Sequence, residues 1–436
     1  MQIDLNTVKN VYIIGIGGIG ISAIARFLYG RGVQVSGSDR DASRVTEGLG
    51  ILGIEVFIGS DVSHIPVSCD CILYTVAIPE NHPDIIEAKK RGIPMLTYPQ
   101  ALKQISQDKK TIAISGTHGK TTTTAMLATI LIDTGVDPSV IVGSLMKDSK
   151  GVESNFISGA SDYLVVEADE YKKSFHSLYP KILVITNIDE DHLDFYKDLA
   201  DIQNSFIELA KRVPTDGYLI CNISDPHLAP VIQSVNCKIV DYSAIEHDGS
   251  LKVPGEHNRS NARAALAAAQ ALGISLSDSV KSVVTFSGVW RRFEYKGKTE
   301  KGALVYDDYA HNPHKVRSVL AGAREFFGKD KKIIAVFQPH LFSRTKTLFN
   351  EFVKSFDDAD EIVFVPIYPA REAFDPSISS EQLAEELKKR CKTVSVQSNF
   401  EDLLLYLKGI DKEGIVFMTI GAGDINTVSD RLLPKK

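Results

Sequence analysis

Residues 113–124, AISGTHGKTTTT, place Lys120 between Gly119 and Thr121 at a point where the strand-like run TIAIS gives way to TTTAMLATILIDTG, whose apolar residues recur at helical spacing. Backbone amides at such a helix start, with the helix dipole behind them, favour anionic oxygens, and glycines let the main chain come close. In this setting Lys120 would meet terminal phosphates and the Thr121 hydroxyl would hold magnesium. The common loop G-x-x-x-x-G-K-[ST] expects glycine six positions before the lysine, where this chain has Ile114. The plain alternative is a glycine turn ahead of a helix that happens to contain lysine; the strand-to-helix setting of G-K-T argues for the phosphate site.

Such a site also needs metal ligands and water-positioning groups from neighbouring strands, and parallel sheets deliver them at their carboxyl ends. The run DYLVV leads into Glu167, Ala168, Asp169 and Glu170, and KILVIT leads into Asn187, Asp189, Glu190, Asp191 and His192. Magnesium prefers oxygen donors, and Glu167, directly after its strand, is the expected ligand; His192 is a less usual one. Helix capping and solvated loops are the competing explanation for acids in these places.

A second signal lies at the start. Gly15, Gly17 and Gly20 form G-x-G-x-x-G after VYII and before ISAIARFLYGRG, with Asp39 closing the next strand. The pattern suits NAD, another nucleoside diphosphate, or tight packing alone. Softer candidates are His257, Asn258 and Asn261 at a helix start, where capping is the default, and the pair Arg291–Arg292, expected on the surface and solvated. Asp307, Asp308, His311 and Asn312 follow one late strand, and His340 and Arg344 follow another, as on a ligand-facing sheet edge.

The elements that must position these residues alternate throughout between Val- and Ile-rich strands and helical stretches, which predicts α/β layers with mostly parallel sheets. Three blocks separate along 436 residues. The first carries strands at 34–36, 71–75 and 94–98, and the polar segment 104–110 is expected as a linker. The second holds the phosphate loop and an alanine-rich helix over 260–272; the third has strands at 303–306, 333–337, 361–366 and 415–420. Boundaries are expected at 1–106, 107–296 and 297–436, with hinges at 104–110 and 291–298. A hydrophobic content of 44%, charged content of 24% and formal charge of -6 leave no basic footprint for nucleic acid. Five scattered cysteines give no metal spacing or disulfide framework, and no apolar run approaches the roughly 18 residues of a membrane span, so a cytoplasmic protein with no membrane partner is expected.

With GIGGIG, GTHGKTTTT, EADE, TNIDEDHLD, RRFE, DDYAHNP and FQPHLFSRT in order, the chain resembles the Mur ligase family, ATP-dependent amino-acid ligases of peptidoglycan assembly, along essentially its whole length. That family's loop looks like A-x-x-G-T-x-G-K-[ST], which Ala113, Gly116, Thr117, Gly119, Lys120 and Thr121 satisfy without the earlier glycine. The resemblance implies an α/β fold of three domains: an N-terminal Rossmann-like domain for a UDP-sugar, a central P-loop ATPase domain with a mostly parallel sheet, and a C-terminal Rossmann-like domain that closes over the site. It implies ATP and Mg2+ as cofactors, UDP-N-acetylmuramate and L-alanine as small-molecule substrates, and an acyl phosphate on the lactyl carboxylate; a monomer or weak dimer is expected.

By position, the resemblance assigns Gly116, Thr117, His118, Gly119, Lys120, Thr121, Thr122, Asn261, Arg292 and Asp308 to ATP, and Thr121, Glu167 and His192 to metal. It assigns Gly15, Gly17, Gly18, Gly20, Asp39 and His311 to the substrate side, and Lys120, His192, His340 and Arg344 to catalysis, His192 also being a candidate general base. Ala310 and Asn312 depart from the DDYGHHP form common in alanine-adding members, and EADEYKKSF departs from EADES. The acceptor therefore stays open among L-alanine, glycine, L-serine and a preformed murein peptide, with GIGGIG favouring a single residue. A dehydrogenase and a non-catalytic nucleotide switch are the rivals from other classes.

Overall fold

A computed structural model describes residues 3–75, 77–147, 153–192, 195–246, 250–370, 372–390 and 392–434. The chain divides into two compact units, one of Met1–Leu251 with Ser260–Phe286, the other of Lys252–Arg259 with Ser287–Lys436.

The first unit contains two sheets. In the N-terminal one, β1 (Asn10–Ile14), β2 (Gln34–Asp39), β3 (Glu55–Ile58), β4 (Cys71–Tyr74) and β5 (Met95–Thr97) are all parallel in the order β3-β2-β1-β4-β5. Val11, Tyr12, Ile13 and Ile14 are all buried, as a central parallel strand covered on both faces requires. Strand order reverses between β1 and β4, so the crevice beyond their carboxyl ends is where an α/β sheet binds ligands, and the glycine loop after β1 opens there.

The second sheet consists of β6 (Lys110–Ser115), β7 (Ser139–Lys147), β8 (Glu153–Ile157), β9 (Tyr163–Glu167), β10 (Ile182–Ile185), β11 (Tyr218–Cys221) and β12 (Lys238–Asp241). Its order is β12-β11-β10-β6-β9-β7-β8, parallel except for β8 against β7. The central strand β6 therefore lies between β10 and β9, which brings the phosphate loop next to both acidic strand ends. In the second unit β13 (Glu294–Lys298), β14 (Leu304–Asp308), β15 (Lys332–Phe337), β16 (Glu361–Phe364), β17 (Thr393–Val396) and β18 (Ile415–Ile420) are ordered β13-β14-β18-β15-β16-β17, with only β13 antiparallel.

The anticipated strands are present, but two segments differ from expectation. Residues 104–110 are no linker: the helix Tyr98–Gln107 runs through most of them and β6 begins at Lys110. Thr97 and Gln100 form a capping box, Ala101, Leu102 and Ile105 are buried, and the Gln104 amide donates to the Ile3 carbonyl (2.7 Å) and accepts from Leu5 N–H (2.9 Å). The polar run is the outer face of an amphipathic last turn. Residues 291–298 likewise include β13, paired to β14, so neither segment is a free hinge strand. The alanine-rich helix begins at Glu256, a turn earlier than expected, and Asn258 donates its amide to the Pro254 carbonyl (2.7 Å). No described helix is long and apolar enough to cross a membrane.

Candidate active site

Between β6 and the helix Lys120–Asp133 the backbone turns through Gly116 (φ +127°) and Gly119 (φ +86°), conformations that side chains rarely adopt. A Cβ on Gly116 would strike Thr186 Oγ1, and one on Gly119 would strike Asn261 Oδ1. The loop is pinned to the end of β10. Thr117 N–H donates to the Asn187 carbonyl (3.0 Å), His118 N–H to Asn187 Oδ1 (2.9 Å), and Asn187 Nδ2 returns a bond to the His118 carbonyl (3.0 Å). Thr117 Oγ1 accepts from Asp189 N–H (2.9 Å). No side chain caps the helix, so the amides of its first turn, where Thr121 and Thr122 sit, point at a position suited to an anion.

Lys120 is the charged centre of this turn. Its Nζ donates to the Gly116 carbonyl (2.6 Å) and to both oxygens of Glu170 (2.7 and 3.0 Å). Burial alone would lower the lysine pKa, but Glu170, Asp169 and Glu167 together hold it above its ordinary value. Burial pushes Glu170 the other way, up to about 7, against the pull of Lys120. The lysine thus stays charged, and the carboxyl is the softer partner.

The expected metal set Thr121, Glu167 and His192 is arranged as two neighbouring groups. Thr121 Oγ1 donates to Glu167 (2.9 Å), whose other oxygen accepts from Gly143 N–H (2.6 Å). His192, with φ +55° and its N–H bonded to Asp191 (2.8 Å), offers a ring nitrogen within 4.8 Å of carboxylate oxygens of Asp169 and Glu170. The sequence signal for these two acids is the unbroken EADE run that begins with Glu167 at the end of β9. Carboxylate oxygens with one imidazole form a donor set that can hold a divalent cation.

At the N-terminal sheet, Asp39 accepts from Gly17 N–H (2.8 Å), and the amides of Gly15 and Ile16 donate to the Ser38 carbonyl (2.8 and 3.0 Å), so the end of β2 shapes the glycine loop. Gly17 lies so close that a Cβ would sit 2.8 Å from Asp39 Oδ2. Gly18 is the N-cap of the helix Ile19–Gly30, and Gly20 lies in its first turn.

In the second unit, the carboxyl ends of the adjacent strands β14, β18 and β15 collect the remaining candidates. Arg291, expected on the surface, is buried: its Nε donates to Asp307 (3.0 Å), Nη1 to the Gly423 carbonyl (3.0 Å) and Nη2 to the Gly421 carbonyl. The arginine motif concealed two different residues, since Arg292 stays partly exposed, its guanidinium 5.3 Å from the centre of the Tyr309 ring. Burial raises Asp307 to about 6 despite Arg291. Asp308, also raised by burial, accepts from Phe293 N–H (2.7 Å) and Ala310 N–H (2.8 Å). His311 bonds through Nδ1 to the Tyr309 carbonyl (2.9 Å) and lies 6.2 Å, ring to ring, from His340. His340 stacks on Tyr368 and accepts at Nδ1 from Arg344 (3.2 Å).

A phosphate loop on the central strand of a mostly parallel sheet, flanked by acids and a histidine, defines a nucleotide-using α/β enzyme. The chain belongs to the Mur ligase family, whose members are ATP-dependent ligases: residues 10–110 match the Mur ligase family catalytic domain, 114–249 the Mur ligase middle domain, and 291–423 the Mur ligase glutamate ligase domain. It is 39% identical to the UDP-N-acetylmuramate--L-alanine ligase of Clostridium kluyveri, over 99% of this chain and 100% of the relative. The enzyme of that name from Clostridium acetobutylicum is 38% identical over 98% of each chain. Among solved structures, the UDP-N-acetylmuramate-alanine ligase MurC of Thermotoga maritima superimposes with a TM-score of 0.81 at 28% identity, covering 97% of this chain and 98% of that one. A murein peptide ligase from Psychrobacter arcticus shares the fold at 22% identity, with a TM-score of 0.71 over 97% and 98% of the two chains.

Proposed function

We infer that this protein is an ATP-dependent ligase that joins L-alanine to the lactyl carboxylate of UDP-N-acetylmuramate, releasing ADP and phosphate, in peptidoglycan precursor synthesis. The observation that carries the reading is the full-length likeness, at 37–39% identity, to ligases named for that reaction. The chemistry is consistent with the site. A carboxylate does not condense with an amine in water unless it is first activated, and activation as an acyl phosphate calls for charge neutralisation around a moving phosphoryl group. Lys120 and the helix amides would hold the terminal phosphates, and Gly116 and Gly119 allow the close approach.

Thr121 with Glu167, and His192 with Asp169 and Glu170, are the groups that would hold Mg2+, which neutralises phosphate charge when bound. The carboxylates beside His192 favour this role over that of free general base. Asn261 and Arg292 are assigned to ATP, His311, His340 and Arg344 to the reacting groups. Gly15, Gly17, Gly18 and Gly20 are assigned to the UDP moiety. In this reading the three sheets correspond to domains 1–106, 107–296 and 297–436, except that the last boundary falls within β13 of the third sheet.

The test is phosphate release and product mass with UDP-N-acetylmuramate, ATP and magnesium, run in parallel with L-alanine, glycine, L-serine and the murein tripeptide. L-alanine is expected to give the highest kcat/KM. Preferred turnover of the tripeptide would overturn the reading.

A further inference from the structure

We infer that the Tyr98 hydroxyl is a specificity contact for the sugar nucleotide, donating a hydrogen bond to its diphosphate–sugar portion beside Gly20; this rests on the function proposed above. Tyr98 is the first residue of its helix and directly follows β5, so it stands at the carboxyl edge of the N-terminal sheet, the edge on which the glycine loop opens. Its ring lies against Gly20. A Cβ there would sit 2.9 Å from Tyr98 Cζ and 3.1 Å from the hydroxyl oxygen, so the polar end of the ring, and not only its apolar body, covers the loop. The third glycine of G-x-G-x-x-G is therefore required by this tyrosine.

Among the described residues, nothing in the fold is held by the hydroxyl through a hydrogen bond, and it is not among the polar atoms sealed without a partner in the interior. A tyrosine that served only as packing would bury this oxygen against a partner or be replaceable by phenylalanine. Burial of the ring, then the charges of Asp169 and Glu167, hold the phenol above its usual range, so the group stays protonated and acts as a donor. Those two acids belong to the phosphate-loop sheet. The oxygen thus lies beside the loop suited to a diphosphate and within the field of the acids at the other nucleotide site, in one compact unit.

Titration calorimetry of full-length wild type and Tyr98→Phe with UDP-N-acetylmuramate, and separately with a non-hydrolysable ATP analogue, tests the inference. Loss of one hydrogen bond to an anionic or sugar oxygen is expected to weaken UDP-N-acetylmuramate roughly tenfold and to raise its KM in step, with the ATP analogue and Tm unmoved. Equal affinity of the two proteins for UDP-N-acetylmuramate would overturn it. So would parallel weakening of both ligands with a lowered Tm, which would mark Tyr98 as structural. A wild-type protein that does not bind UDP-N-acetylmuramate would instead refute the proposed function.

Discussion

Lys120 Nζ lies 2.7 Å from one oxygen of Glu170 and 3.0 Å from the other, with both side chains largely buried. The two partners are not equivalent. Glu170, already raised to about 7, takes up a proton readily when the lysine is removed, whereas Lys120 without Glu170 is left as a buried cation beside only Asp169 and Glu167. Lys120→Ala is expected to lose ligase activity by at least about 10²–10³-fold while keeping its fold. Glu170→Gln is expected to lose more stability, up to about 3 kcal/mol, because it strands a buried cation. Urea unfolding at pH 7.5 with product assays on both variants checks this; an alanine variant less stable than the glutamine variant would contradict it.

Glu167 accepts from Thr121 on one oxygen and from Gly143 N–H on the other, so its carboxylate is oriented before any metal arrives. Glu167→Gln keeps the shape but loses the charge. The magnesium concentration for half-maximal activity is expected to rise roughly 10–100-fold, and activity to recover in part at saturating metal. A metal titration of initial rates gives the answer; an unchanged half-saturation point would remove Glu167 from the metal site.

The site was legible in the sequence where one short segment carried its own geometry. G-K-T at a strand-to-helix junction needed only local turn chemistry, and the parallel strands could be read from unbroken runs such as YLVV and ILVI. Pairings across the fold were not legible. Nothing local distinguishes Arg291 from Arg292, yet one is clamped by Asp307 and two glycine carbonyls from 130 residues or more away, while the other lies over Tyr309. Glu170 was hidden for the same reason, since its partner lies 50 residues earlier in the chain. Residues 104–110 are polar in composition yet ordered, because Ile105 and Ser106 face the core while their neighbours face outward.

Gly119 and Asn261 should be coupled. A side chain at Gly119 both strains the backbone at φ +86° and collides with the Asn261 amide. Gly119→Ala is expected to destabilise the protein and abolish activity. Adding Asn261→Ala removes the collision but not the strain, so stability recovers by about 1 kcal/mol without recovery of activity. A double-mutant cycle in urea measures this, and strict additivity would show that the collision is relieved elsewhere.

The arginine pair should separate by function. Arg291→Lys exchanges a fork that serves Asp307 and two carbonyls for a point charge, and is expected to cost about 3 kcal/mol of stability. Arg292→Ala is expected to leave Tm within a degree or two and to raise KM for ATP instead. Equal Tm losses in the two variants, by scanning calorimetry, would refute the division of roles.

His311 should be neutral across the physiological range. Burial lowers its pKa well below 6.5, and the nearby charges of Lys315, Arg344 and Arg292 act in the same direction, outweighing the bond to the Tyr309 carbonyl. With Nδ1–H donating to that carbonyl, Nε2 is left as an acceptor. The folded value lies below the unfolded one, so the neutral ring's contribution is fully present above pH 6.5 and is lost as pH falls below it toward the folded value. Wild type should therefore lose more stability than His311→Gln between pH 7.5 and pH 5, read from urea midpoints at each pH. Equal losses would mean that the imidazole is as free to ionise in the folded protein as in the unfolded chain.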